Sequence, residues 1–146
     1  MAALLHDLVD TDTHPSKLGR AVTIPNPYVR WLCAQHHAAK GHPDNPDLQF
    51  LQEADVRTSR YARLLTLSTR RRKLAQVNTQ QLTQQLEQAA HHSVYKLYAA
   101  IYHSQELAQF TASKTHPTET LRHHLIGVAN WVLFLVRTRI PAPLHA

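Results

Sequence analysis

Near its C-terminal end the chain reads "LRHHLIGVANWVLFLVRTRI", in which Leu121, Leu125, Val128, Val132 and Leu135 recur at spacings of three and four. At about 100° per residue these positions share one helical stripe. Trp131, Leu133 and Val136 widen it, leaving His123, Asn130 and Arg137 as its one polar line. The pattern predicts a helix that is central in a bundle or that offers one side to another subunit. Pro117 is expected to open it, with Glu119 in its first turn, and Pro141 to end it near Ile140. A similar stripe upstream is centred on Val94, Leu97, Tyr98 and Ile101, with Tyr95 and Tyr102 to its side.

Two further starts carry the same punctuation. "IPNPYVRWL" puts Asn26 at an N-cap and Pro27 at the first helical position, where its missing N–H costs nothing. "DNPDLQFL" repeats this with Asn45, Pro46 and an acidic first turn at Asp47. From Asp47 to Ala112 the chain has neither Gly nor Pro. One helix of that length would run to roughly 100 Å, too long for a compact domain. Two helices are therefore expected, parting near Thr66–Thr69, where Ser and Thr cap better than they extend. These elements define an all-α, single-domain helical bundle of about four helices over residues 26–146, preceded by an irregular N-terminal arm over 1–25.

A chain of 146 residues is long enough to bury a real core. Its three glycines exclude glycine-rich phosphate loops, and one cysteine, Cys33, excludes an intrachain disulfide and fits a reducing compartment. The opening "MAALLHDLVDTD" lacks a basic n-region and a long apolar run, so no secretory signal is expected. The stretch Leu125–Val136 is far short of the roughly 20 residues that cross a bilayer. The expectation is a cytoplasmic protein without a membrane partner.

Charge changes the picture more. The net charge is +6, and between Val56 and Leu86 there is no Asp or Glu to balance Arg57, Arg60, Arg63, Arg70, Arg71, Arg72 and Lys73. A solvated helix face more often interleaves signs, and the Arg fork suits phosphate oxygens. A Gln-rich stretch, "QVNTQQLTQQLEQ", follows, and Tyr95 and Tyr102 are candidates for stacking on unpaired bases. The expected function is phosphate-mediated binding of nucleic acid, RNA or single-stranded DNA rather than a read-out duplex, as a non-catalytic subunit of a nucleoprotein complex. The competing expectation is a helical adaptor for an acidic protein surface or partner helix. Asp7, Asp10 and Asp12 in the arm are available to pair with these arginines or with the basic face of a neighbouring copy.

Candidate chemistry is sparse. Twelve histidines include the pairs His36–His37, His91–His92 and His123–His124, but none has the i,i+4 spacing or the cysteine company of helical zinc sites. Only an interhelical site is left open, and no metal or cofactor is expected. Cys33 and His37 are four apart on one helix without an orienting third group or an oxyanion site. The chain is accordingly read as a non-enzyme.

Overall fold

The computed structural model describes residues 1–11, 14–37, 44–64, 76–112 and 119–139. It is an all-α bundle. Among the described residues six helices run in the order α1 (Ala2–Leu5), α2 (Pro27–Gln35), α3 (Pro46–Leu64), α4 (Thr79–His92), α5 (Val94–Tyr102) and α6 (Leu121–Arg139), with a single 3-10 turn at Leu107–Gln109. Among the described residues the only extended pairing is one antiparallel bridge, Thr111 to Thr120. None of the described helices is long and apolar enough to cross a membrane.

The predicted caps form. The Asn26 side chain accepts from the N–H groups of Tyr28 and Val29, and Asn45 accepts from Leu48 at 2.9 Å, so each asparagine satisfies donors that the first turn leaves open. Three boundaries differ from expectation, the first being that the helix expected to follow the break near Thr66–Thr69 begins at Thr79, with Asn78 as its cap. Ser93 divides the expected third helix into α4 and α5, its hydroxyl capping α5 by accepting from Lys96 N–H. The last helix starts at Leu121 instead of at Pro117, because Thr120 caps it through His123 N–H. Glu119 therefore precedes the helix, on the bridged segment. The expected break at Thr66–Thr69, the run Arg70–Lys73, Pro117 and Pro141 lie outside the described residues.

The first 25 residues hold one helical turn and then loop, yet they contribute Leu4, Leu5, Leu8, Leu18, Val22 and Ile24 to the core. The loop is pinned back on itself: Lys17 N–H donates to Asp7 C=O and Val22 N–H to Leu8 C=O. Facing them are Leu121, Leu125, Val128 and Leu135 of α6, four of the five stripe positions, all fully buried.

Helices α3 and α6 form the principal packing pair. Their close approach depends on Gly127, where an added Cβ would lie 2.6 Å from Thr58 Cγ2. Thr58 is held by its own hydroxyl, which donates to Ala54 C=O at 2.7 Å. Gly127→Ala is expected to push the two helices apart and to lower stability by about 1–3 kcal/mol, the usual cost of overpacking. Urea denaturation checks this, and an unchanged midpoint would show that Thr58 simply swings aside.

Candidate metal centre

Gly127 and Thr58 each lie three residues beyond a polar residue on the same two helices, the buried His124 on α6 and the half-buried Asp55 on α3. Their side chains meet, His124 Nε2 to Asp55 Oδ1, at 2.9 Å. Three more groups converge there: His6 and Asp7 directly after α1, and His36 at the C-terminal end of α2. The three histidines are at most 4% exposed, and the Asp7 and Asp55 side chains are 8% and 18% exposed.

The imidazoles share one orientation. His6 Nδ1–H donates to Ala3 C=O at 2.7 Å and His36 Nδ1–H to Cys33 C=O at 2.5 Å. Because a carbonyl only accepts, these contacts place a ring proton on Nδ1 and turn each Nε2 towards the cluster, where it carries a lone pair whenever the ring is neutral. His124 Nδ1 lies 3.1 Å from Glu119 Oε1, a buried carboxylate, although off the line of a good hydrogen bond. An acceptor beside each Nδ1 is the arrangement that orients histidine ligands around a metal ion.

The Nε2 atoms then face each other and the carboxylates. His6 Nε2 is 3.3 Å from His124 Nε2, and each is 3.3 Å from Asp7 Oδ2. His6 Nε2 is 3.6 Å from Asp55 Oδ1, and His36 Nε2 is 3.6 Å from Asp7 Oδ1. That last separation is too long for a hydrogen bond, and His36 Nε2 is buried with no partner. Two imidazole lone pairs directed at one another repel unless a proton or a cation lies between them. Metal–ligand bonds of about 2.0–2.2 Å give ligand–ligand edges of about 3.0 Å in an octahedron and about 3.4 Å in a tetrahedron. The spacings found here, 2.9 to 3.6 Å, fit that range.

Without a metal the cluster holds itself together by charge. Burial alone would neutralise it, but Asp7 and Asp55 hold His6 protonated, raising its pKa to about 9. His124 is raised well above the ordinary imidazole value by Asp55, Asp7 and Glu119, which outweigh its burial. Reciprocally, the histidines hold Asp7 and Asp55 well below the ordinary carboxylate range. His37, on the exposed rim beside His36 and Asp55, goes the other way. Partial burial and the neighbouring His36 and His14 lower it to about 4, leaving a neutral imidazole at the mouth of the site. Cys33 lies buried next to this cluster, but its thiol is pushed up to about 12 by burial and is not a thiolate ligand or nucleophile at neutral pH.

Of the residues expected to contact phosphate, Arg57, Arg60, Tyr95 and Tyr102 have described side chains. Arg57 is ion-paired to Glu53 at 2.7 Å and lies over the Trp131 ring, 5.2 Å from its centroid. Glu53 also takes both guanidinium nitrogens of Arg139. Arg60 is exposed on α3, whereas the Arg63 side chain and Arg70, Arg71, Arg72 and Lys73 lie outside the description. Tyr95 and Tyr102 are both exposed but border different depressions of the surface. In the arm, Asp7 is committed to the histidines, which corrects the expectation that it pairs with arginines; Asp10 accepts from Ser16 N–H, and Asp12 is outside the description.

No protein-family model, curated protein or solved structure matches the chain.

Proposed function

We propose that the protein binds a divalent transition metal through donors drawn from His6, Asp7, His36, Asp55 and His124, which form overlapping groups of three, and acts on a phosphate ester of nucleic acid or a nucleotide. The observation that carries the reading is the convergence of Nε2 and carboxylate atoms at metal–ligand edge distances, with the Nδ1 of His6 and of His36 hydrogen-bonded to a backbone carbonyl. A donor set of imidazole and carboxylate without thiolate suits manganese, iron, nickel or zinc better than calcium or copper(I). Such an ion supplies an activated water and offsets charge on phosphoryl oxygens. Asp55 is the most exposed of the five and sits beside the neutral imidazole of His37, so this side faces an incoming substrate. The net positive charge and the exposed Arg60 support a polyanionic substrate, in keeping with phosphate-backbone binding of RNA or single-stranded DNA.

The test is elemental analysis of untagged protein, followed by hydrolysis of bis(p-nitrophenyl) phosphate and of short RNA and single-stranded DNA. About one transition-metal ion per chain, and hydrolysis lost in Asp55→Asn, is the expected result. Metal without hydrolysis would leave a structural metal centre and remove the catalytic reading. No metal at micromolar supply would remove both.

A further inference from the structure

His123, directly before the buried His124, turns to the opposite situation: it is exposed and borders a cleft of about 460 Å³ between α5 and α6. That volume falls in the range of about 300–1,000 Å³ usual for small-molecule sites. We infer that this cleft binds a nucleotide unit, with its phosphate at Arg122 and its base on the Tyr102 ring.

The chemistry of the walls supports each half. Arg122, His103 and His123 border the cleft together with the neutral Gln105 and Asn130, and no carboxylate is among the residues lining it. Two other arginines, Arg57 and Arg139, are tied to Glu53. Arg122 instead is half-buried, and its contact is a single long one, Nη1 to Ser104 C=O at 3.5 Å. Its guanidinium therefore keeps donors for a doubly accepting anion such as phosphate.

Tyr102 forms a prepared stacking surface. Its ring lies near-parallel to Tyr98 at 6.2 Å and 12°, and His103 meets its edge at 5.2 Å and 83°. Tyr98 is fixed in turn, its hydroxyl donating to Asn130 Oδ1 across to α6. Yet Tyr102 remains 55% exposed, so ring area is left for a planar ligand. Gly127 contributes backbone with no side chain to the cleft wall, and Ile126 adds an apolar surface. A cation, a braced aromatic ring and amide groups at one cleft match a phosphate, a base and the polar edge of that base. The unit could come from a free mononucleotide or from the 5′ end of a single strand, and the two share this chemistry.

This site is separate from the metal centre and does not depend on it. The test is calorimetric titration with adenosine 5′-monophosphate, adenosine, inorganic phosphate, and a tetranucleotide with and without a 5′-phosphate. Adenosine monophosphate is expected to bind at least tenfold tighter than adenosine or phosphate alone. Arg122→Gln and Tyr102→Leu should each lose about tenfold, while Asp10→Asn, at a residue that does not line the cleft, should bind as well as the wild type. A 5′-phosphorylated tetranucleotide that binds tighter than the mononucleotide assigns the site to strand ends; equal or weaker binding assigns it to free nucleotides. Equal affinity for adenosine and its monophosphate, or full affinity in Tyr102→Leu, overturns the inference. Because Tyr102 is exposed, that variant remains decisive should Arg122→Gln prove unstable by circular dichroism.

Discussion

Asp7→Asn is expected to cost about 3–5 kcal/mol of stability, the scale found when one partner of a buried ion pair is removed, and to abolish metal binding. The amide is nearly isosteric, so packing around Leu4, Leu5 and Leu8 is spared and the effect is electrostatic. Asp7 touches all three buried histidines: His6 and His124 through Oδ2 at 3.3 Å and His36 through Oδ1 at 3.6 Å. With its charge gone, His6 and His124 must either give up their protons or stay charged with Asp55 as the main remaining counter-ion. For a domain of this size the loss amounts to roughly 10–15 °C in melting temperature. Elemental analysis of the same preparation should show metal falling from near one ion per chain to near zero. Asp10→Asn is the matched comparison, since Asp10 is exposed and its carboxylate accepts from the Ser16 N–H. Equal melting temperatures and metal contents for the two variants would sink the account of the centre given above.

The second large effect is on pH. In metal-free protein, His6 and His124 have folded pKa values raised above the unfolded one, by the facing carboxylates Asp7, Asp55 and, for His124, Glu119. Their contribution is fully present below about pH 6.5 and is lost as pH rises through the folded values, which for His6 means by about pH 9. Asp7 and Asp55 are shifted down, so their contribution is present above about pH 4 and is lost as pH falls through the folded values. Chelator-treated protein should thus be most stable between about pH 4 and 6.5 and should weaken towards pH 9. For His6 alone that weakening is about 3 kcal/mol, at 1.36 kcal/mol per unit. Metal requires the same nitrogens unprotonated, so the stabilisation gained on adding manganese or zinc should grow across the same window. Thermal unfolding at pH 5, 7 and 9, with and without metal, reads both trends. Metal-free stability that stays flat or rises from pH 6.5 to 9 would show that His6 and His124 are not held as cations.

Much of the helical scaffold was legible because its signals are local. Asn26–Pro27 and Asn45–Pro46 start helices through contacts spanning three residues, and the α6 stripe is a matter of spacing alone. The break at Ser93 was not read, because a serine cap inside a run without Gly or Pro looks the same as a serine on a helix face. The window free of acid begins at Val56, and Glu53, which engages Arg57, lies one helical turn before that arginine and just outside the window. The metal centre was hidden for a different reason. Its donors come from positions 6, 7, 36, 55 and 124, and only the fold brings them together. Two signals for it were nevertheless present in the sequence. His6 and Asp7 sit between leucines in "ALLHDL", an apolar frame that forces ionisable groups inwards. His124 falls on the same helical face as Leu121, Leu125 and Val128, a position reserved for the core.

The contact between His6 and His124 joins residues 118 positions apart. During synthesis at about 5–20 residues per second, roughly 6–24 s separate the emergence of the first ligand from that of the last. Through that interval Leu4, Leu5 and Leu8 have no α6 to cover them, and the donors from positions 6, 7, 36 and 55 lack their fifth member. The centre therefore closes only when α6 docks, and a bound ion would act as a seal on that docking. Truncated or stalled copies would be unable to acquire it.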